Sequence, residues 1–350
     1  MTKSNKNERD WKIFLGGREP HDGISYLPDP PNWRKFREDS AIKVDARYHE
    51  QLMALASHNS RDLKRGQTFY IHSNQEQIID AINAALYLRR PLLITGRPGS
   101  GKTSLAYAIA YELKLGPVLM WPITVRSSLA EGLYQYDAIA RLQDVQLLSN
   151  RIVGENNHNI GDYLRLGPLG TAFLPNRYPR VLLIDEIDKA DINLPNDLLN
   201  LFEEGGYQIP ELVRLAKQTP TINVFTTDGI EASITNGDVQ CAEFPLVILT
   251  SNGERDFPPA FLRRCLRVNM PSPSAQELYA IVRMHFGTER LDNEIGALIE
   301  NFLDRQNNTD GGLATDQLLN TVYLLVQGNN HSFENLQDLL LKSLTSEGYD

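Results

Sequence analysis

Residues Gly96-Arg97-Pro98-Gly99-Ser100-Gly101-Lys102-Thr103 fit the pattern G-x-x-x-x-G-K-[ST]. A chain of phosphates needs backbone N–H groups turned inward around it. Glycines let the backbone wrap closely without Cβ clashes. Lys102 then reaches the β- and γ-phosphates, and the Thr103 hydroxyl suits a bound Mg2+. With Ser104, the stretch forms a candidate cradle for a nucleoside triphosphate.

A second stretch, Arg180 to Ala190, reads RVLLIDEIDKA. Val181 to Ile184 is a wholly apolar run, as expected of a parallel strand covered on both faces. It ends in Asp185-Glu186, and acids at the carboxyl end of such a strand emerge where ligands bind in open α/β sheets. Asp185 is placed to hold Mg2+ through its water shell, and Glu186 to polarise an attacking water. A third apolar run, Leu246 to Leu249, ends in Thr250-Ser251-Asn252, again polar at a strand's end.

The elements that must position these residues follow from local patterning. Leu92-Leu93-Ile94 reads as a buried strand entering the glycine loop, and Ser104 to Leu115 as the helix leaving it, stopped at Gly116. Upstream, Ser73 and Glu76 have capping-box spacing before the apolar face Ile78, Ile79, Ile82, Ala85 and Leu86. Tyr70 to His72 is placed either beside a bound base or in the core. Val118 to Trp121 is a further strand. Leu129 to Leu147 reads as a helix interrupted near Tyr134 and Tyr136, and Tyr163 to Phe173 as an apolar hairpin or loop. Tyr207 to Thr250 is strand-rich, and Ala260 to Leu266 a short basic helix. After Pro271 and Pro273, four apolar faces at helical spacing run from Leu278 to Leu344, making a small helical bundle.

The 350 residues leave room for two domains. Hydrophobic content of 41% with 23% charged residues suits a globular chain with a full core. No apolar run approaches the ~18 residues of a membrane span, and the polar start MTKSNKNERDWKIF lacks a secretion signal, so a cytoplasmic location is expected. A net charge of −9 argues against a general nucleic-acid coat. Cys241 and Cys265 read as buried thiols, and the seven histidines show no metal-ligand spacing. The first 65 residues differ from the rest. Trp11, Phe14, Tyr26, Trp33 and Phe36 stand among prolines and glycines, the composition of an extended arm that docks on its own body or on a neighbour.

On GRPGSGKTS, VLLIDEIDKA, LTSN and FPPAFLRRCLRV, the chain from about Ser73 to Val326 resembles an AAA+ ATPase of the MoxR-type, dynein-related branch; YLRLGPLG is also similar to that branch. The resemblance implies a P-loop NTPase fold: an α/β three-layer αβα core with a parallel sheet, followed by a small all-α lid. With the composition of the first 65 residues, it divides the chain into an extension (1–65), a nucleotide-binding domain (66–272, with insertions about 125–175 and 207–245) and a lid (273–350). It assigns Lys102 and Thr103 to phosphate and Mg2+, Asp185 to Mg2+, Glu186 to water activation and Asn252 to sensor 1. It places the arginine finger at Arg263-Arg264, with Arg264 the closer match. It implies a homo-oligomeric ring, often a hexamer, and a protein client or von Willebrand A-domain partner. The family's lid arginine, sensor 2, is missing: Thr315-Asp316-Gln317 stands in its place, and Thr315 or Asp316 is expected to cap a helix. Aromatics near Tyr134 and Tyr136 fall where the family places pore-facing insertions, with ordinary packing as the alternative. Two functions fit: a chaperone-like remodeller or assembly factor, or a nucleotide-gated switch in a signalling or defence assembly with slow hydrolysis.

Overall fold

The computed structural model describes residues 11–17, 19–36, 46–69, 71, 75–149, 159–287, 292–308, 313–327 and 341. Helices α1 (Ala46–His58), α2 (Ser60–Thr68) and α3 (Glu76–Leu88) lead into β1 (Leu92–Thr95), α4 (Lys102–Glu112) and β2 (Leu119–Pro122). Next come α5 (Leu129–Leu133), β3 (Tyr134–Tyr136), α6 (Ala138–Ser149), β4 (Leu164–Leu166), α7 (Pro168–Ala172) and β5 (Val181–Asp185). They are followed by α8 (Leu194–Glu204), β6 (Gly206–Gln208), α9 (Pro210–Leu215), β7 (Thr221–Phe225), β8 (Glu231–Thr235), β9 (Asp238–Gln240) and β10 (Leu246–Ser251). The last described elements are α10 (Pro259–Leu262), β11 (Leu266–Asn269), α11 (Ala275–Phe286), α12 (Asp292–Asn308) and α13 (Thr315–Gln327).

Five parallel strands form the core sheet in the order β11-β1-β10-β5-β2. Their apolar runs serve two faces because successive side chains alternate. Leu93, Leu182, Ile184, Val247 and Leu249 join one core cluster. Leu92, Ile94, Val181, Leu183, Leu246 and Ile248 join the other. Helices cover both faces, giving the three-layer αβα core expected of a P-loop NTPase. A third cluster, including Leu278, Ile299, Phe302, Leu318 and Val322, is the core of the C-terminal helices.

Several local expectations change. The interruption at Tyr134 and Tyr136 is a strand, β3, which pairs antiparallel with β4. The segment 163–173, expected to be a hairpin or loop, forms β4 and α7. The strand-rich region 207–250 contains a helix, α9, with Pro210 at its first turn, where a missing N–H costs nothing. Both segments then join one six-stranded sheet, β3-β4-β7-β8-β9-β6. Tyr134 donates to Glu211 at 2.8 Å, and the Tyr136 hydroxyl accepts from Arg141 at 2.9 Å, so both aromatics are packed and hydrogen-bonded within this region. Helix α3 begins at Glu76 with Gln75 before it, and among the described residues no side chain caps it; Ser73, Tyr70 and His72 lie outside the described residues. So does the expected fourth helix of the bundle, apart from buried Leu341.

The N-terminal arm docks on its own body. Phe14 is fully buried, with Ile13 and Ile24 beside it in the core cluster. Buried Asn83 of α3 accepts from the Ile13 and Phe14 N–H groups, at 2.6 and 2.9 Å, and donates to the Phe14 carbonyl at 2.7 Å. The amide thereby closes the arm's backbone pairing much as a neighbouring strand would.

Candidate active site

Strand β1 delivers the chain to the glycine loop, and α4 begins within it at Lys102. Gly101 is the N-cap, at φ +93°, with no side chain capping the helix. A Cβ there would lie 2.9 Å from the Phe69 ring, so glycine is required on both counts. An uncapped helix N-terminus offers free amides and positive dipole to an anion. The Ser100 hydroxyl is buried without a partner, a second group prepared for an acceptor.

Lys102 is nearly buried. Its Nζ donates to the Gly96 and Arg97 carbonyls at 2.7 and 2.9 Å. Burial lowers its pKa, opposed by the charges of Asp188, Asp185 and Glu186. The Lys102 ammonium is thus held by two loop carbonyls, with the charges of three carboxylates opposing its desolvation.

Strand β5 carries the acids to the same place. The Thr103 hydroxyl donates to Asp185 Oδ1 at 3.0 Å. These neutral and anionic oxygens are the donor set of a hard divalent cation, so the residues present fit Mg2+ beside a triphosphate. The Thr250 hydroxyl, on β10, donates to the same Oδ1 at 2.6 Å and accepts from the Glu186 N–H at 2.9 Å. Glu186 has left-handed backbone, φ +60° and ψ +50°, sparsely populated for a side chain of its size. Lys189 Nζ holds the Glu186 carboxylate at 2.6 Å.

Asn252 is positioned through Asp188, which accepts from the Asn252 and Glu254 N–H groups at 2.9 and 3.2 Å. Residues 98–104, Asp185, Glu186, Thr250 and Asn252 all line one cavity of about 540 Å³. Gly96 and Arg97 do not line it, and Arg97 is exposed. Phe69 of the body and Ile281, Met284 and Leu319 of the C-terminal helices add an apolar wall.

Arg263 and Arg264 are not brought to this cavity. The expected helix over 260–266 ends at Leu262, and the pair sits in the turn before β11. Arg90 fixes that turn by donating to the Arg263 carbonyl and, at 3.0 Å, to that of Arg264. Arg263 is exposed. Arg264 Nε pairs with Glu203 at the end of α8, and its Nη1 donates to the Ala260 carbonyl at 3.2 Å.

Residues 91–265, half of the 350-residue chain, match the family described as AAA domain, dynein-related subfamily. The chain belongs to this family. Its match begins just before β1 and ends after the arginine pair, so it spans the whole parallel sheet up to β11. No curated protein matches the chain. Membership makes this an ATP-binding AAA+ ATPase domain, of a kind that commonly assembles into rings. Among the described residues, no helix of this AAA protein is long and apolar enough to cross a membrane.

Three residues of the site escape motif reading. Thr250 and Asp188 lie inside the recognised stretches but look like filler between the residues that matched. Lys189 has the i+3 spacing to Glu186 that permits an ion pair on one turn.

Proposed function

We propose that the chain hydrolyses ATP at an intersubunit site of a MoxR-like ring and uses the cycle to remodel or assemble a partner protein. The observation that supports this most directly is the hydrogen-bonded row Thr103–Asp185–Thr250–Glu186 facing an uncapped phosphate loop. In this reading the loop amides of 99–104 and Lys102 hold the β- and γ-phosphates. Thr103 and Asp185 would hold Mg2+, which would supply neutralisation of the phosphate charge. Glu186 accepts the proton of the attacking water as its oxygen bonds the γ-phosphorus and the bridging oxygen departs with ADP. Asn252 orients that water. Arg264, or Arg263 beside it, reaches the neighbouring subunit's γ-phosphate and stabilises charge there. The ring, often a hexamer in the family, then acts on a protein client or a von Willebrand A-domain partner in the cytoplasm. The three-part division of the chain follows the same reading, with the lid from about residue 273.

Two ion pairs bear on the rate. Lys189 holds Glu186, and Glu203 holds Arg264. Both hydrolytic groups are thus engaged within one chain, which favours turnover only after assembly. The same pairs favour a second reading, a nucleotide-gated switch in a signalling or defence assembly with slow hydrolysis. Turnover in the assembled state separates the two.

The test is ATPase activity against protein concentration, with sizing in ATP and in ADP. Activity per chain is expected to rise as oligomers form. Glu186→Gln is expected to bind ATP and assemble without turnover, and Lys102→Ala to bind none. Concentration-independent activity in a strict monomer would remove the intersubunit arginine, and wild-type turnover by Glu186→Gln would remove the assigned base.

A further inference from the structure

The C-terminal helices touch the phosphate loop at one tight point. The Thr315 hydroxyl, at the start of α13, donates to the Gly99 carbonyl at 2.7 Å. A Cβ on Gly99 would stand 2.5 Å from the Thr315 nitrogen and 2.7 Å from Ala314 Cα, so the two backbones are in contact there. Thr315 is 9% exposed. Thr315 is the first residue of α13 and not its N-cap, so its hydroxyl faces the loop, while Gln317 Oε1 accepts from the Ala314 N–H at 2.9 Å. A longer contact flanks it, from Arg97 Nη1 to the Gln306 carbonyl at 3.5 Å. Buried Gln306 in turn donates to the Leu313 carbonyl at 2.9 Å, tying the end of α12 to the approach to α13.

This contact bears on how the loop presents its amides. Gly99 has φ +74° and no side chain to fix its orientation. A trans peptide is planar, with its C=O and N–H on opposite sides. Holding the Gly99 oxygen on the lid therefore sets the plane of the Gly99–Ser100 peptide and the direction of the Ser100 N–H, which in this structure donates to the Arg97 carbonyl at 3.3 Å. Lys102 holds the Gly96 and Arg97 carbonyls in the same manner from the other side. Among the described lid residues lining the cavity there is no arginine or lysine.

We infer that Thr315 is a positioning residue that couples the lid to the phosphate loop through the Gly99 carbonyl, in place of a lid cation. Resting on the ATPase reading above, this gives the lid a way to respond to phosphate without touching it. A loop peptide locked for phosphate is also locked to α13, so nucleotide and lid stabilise each other's bound arrangement.

The experiment compares full-length wild type, Thr315→Val and Thr315→Ser. It measures the affinity of fluorescently labelled ADP and ATP, KM and kcat, and hydrogen exchange of residues 313–327 with and without nucleotide. Thr315→Val keeps shape and removes the donor. It is expected to weaken nucleotide binding and raise KM about tenfold, the scale of one lost buried hydrogen bond, with kcat changed far less. Nucleotide-induced protection of 313–327 is expected to fall with it. Thr315→Ser is expected to restore both, and the melting temperatures without nucleotide show whether all three chains fold. Wild-type affinity and protection in Thr315→Val would overturn the inference while leaving the ATPase reading intact. A wild-type chain that binds no nucleotide would instead overturn the ATPase reading, and the coupling with it.

Discussion

Thr250 and Asp185 share a 2.6 Å hydrogen bond across neighbouring strands, and the same Thr250 oxygen accepts from the Glu186 N–H. One hydroxyl therefore fixes both the carboxylate assigned to Mg2+ and the strained backbone that aims the carboxylate assigned to water.

Thr250→Val is expected to cost about 1–3 kcal/mol in the hydrolytic step, since it leaves the part-buried Glu186 N–H unpaired and Asp185 short of a donor. That corresponds to a fall in kcat of about ten- to hundredfold, with ATP affinity changed much less. Thr250→Ser is expected to stay near wild type. Steady-state kinetics alongside nucleotide titration checks the split.

Arg264→Ala is expected to abolish most turnover, about a thousandfold on the scale of related arginine fingers, while leaving nucleotide binding intact. Mixing it with Glu186→Gln gives a sharper test. Each variant lacks what the other holds, so mixed oligomers contain some sites with an intact Glu186 and a neighbour's intact Arg264. Partial recovery of activity on mixing is the expected result, and two inactive proteins that stay inactive together would count against an arginine given across the interface.

Asn83→Ala removes both acceptor contacts and the donor contact that seat the arm at Ile13 and Phe14. A loss of about 3 kcal/mol is expected, with early proteolysis within residues 11–36. Urea unfolding and limited trypsin digestion report the two effects separately. Phe14→Ala, which empties a fully buried ring site, is expected to act in the same direction by about 3–5 kcal/mol.

Burial pushes the thiols of Cys241 and Cys265 up to about 12 from an ordinary 9.0. In the folded chain both stay protonated at pH 8, and neither is expected to react with a thiol reagent until the protein is denatured. The sign of the linked stability follows. Between about pH 9 and 12 the unfolded chain releases thiol protons that the folded chain keeps. The unfolded state then binds fewer protons, and stability falls as pH rises through that window. Replacing both cysteines by alanine is expected to flatten the alkaline limb of a pH–stability curve measured by chemical denaturation.

The phosphate loop, the acid-tipped strand and the helical periodicity of the C-terminal segment were legible in the sequence because each is a local pattern. Glycines at fixed spacing, an apolar run ending in two carboxylates and apolar residues every three or four positions constrain the backbone within a few residues of themselves. The family resemblance rested on the same stretches. Tertiary structure decided what those patterns meet. Thr250 reaches Asp185 across 65 positions, and Thr315 reaches Gly99 across 216. Short segments such as Tyr134–Tyr136 become strands because distant partners supply their hydrogen bonds, which no local propensity reveals. Thr315 is a residue type that caps helices, yet it is the first residue of α13, and the packing of the C-terminal helices brings the Gly99 carbonyl within reach of its hydroxyl.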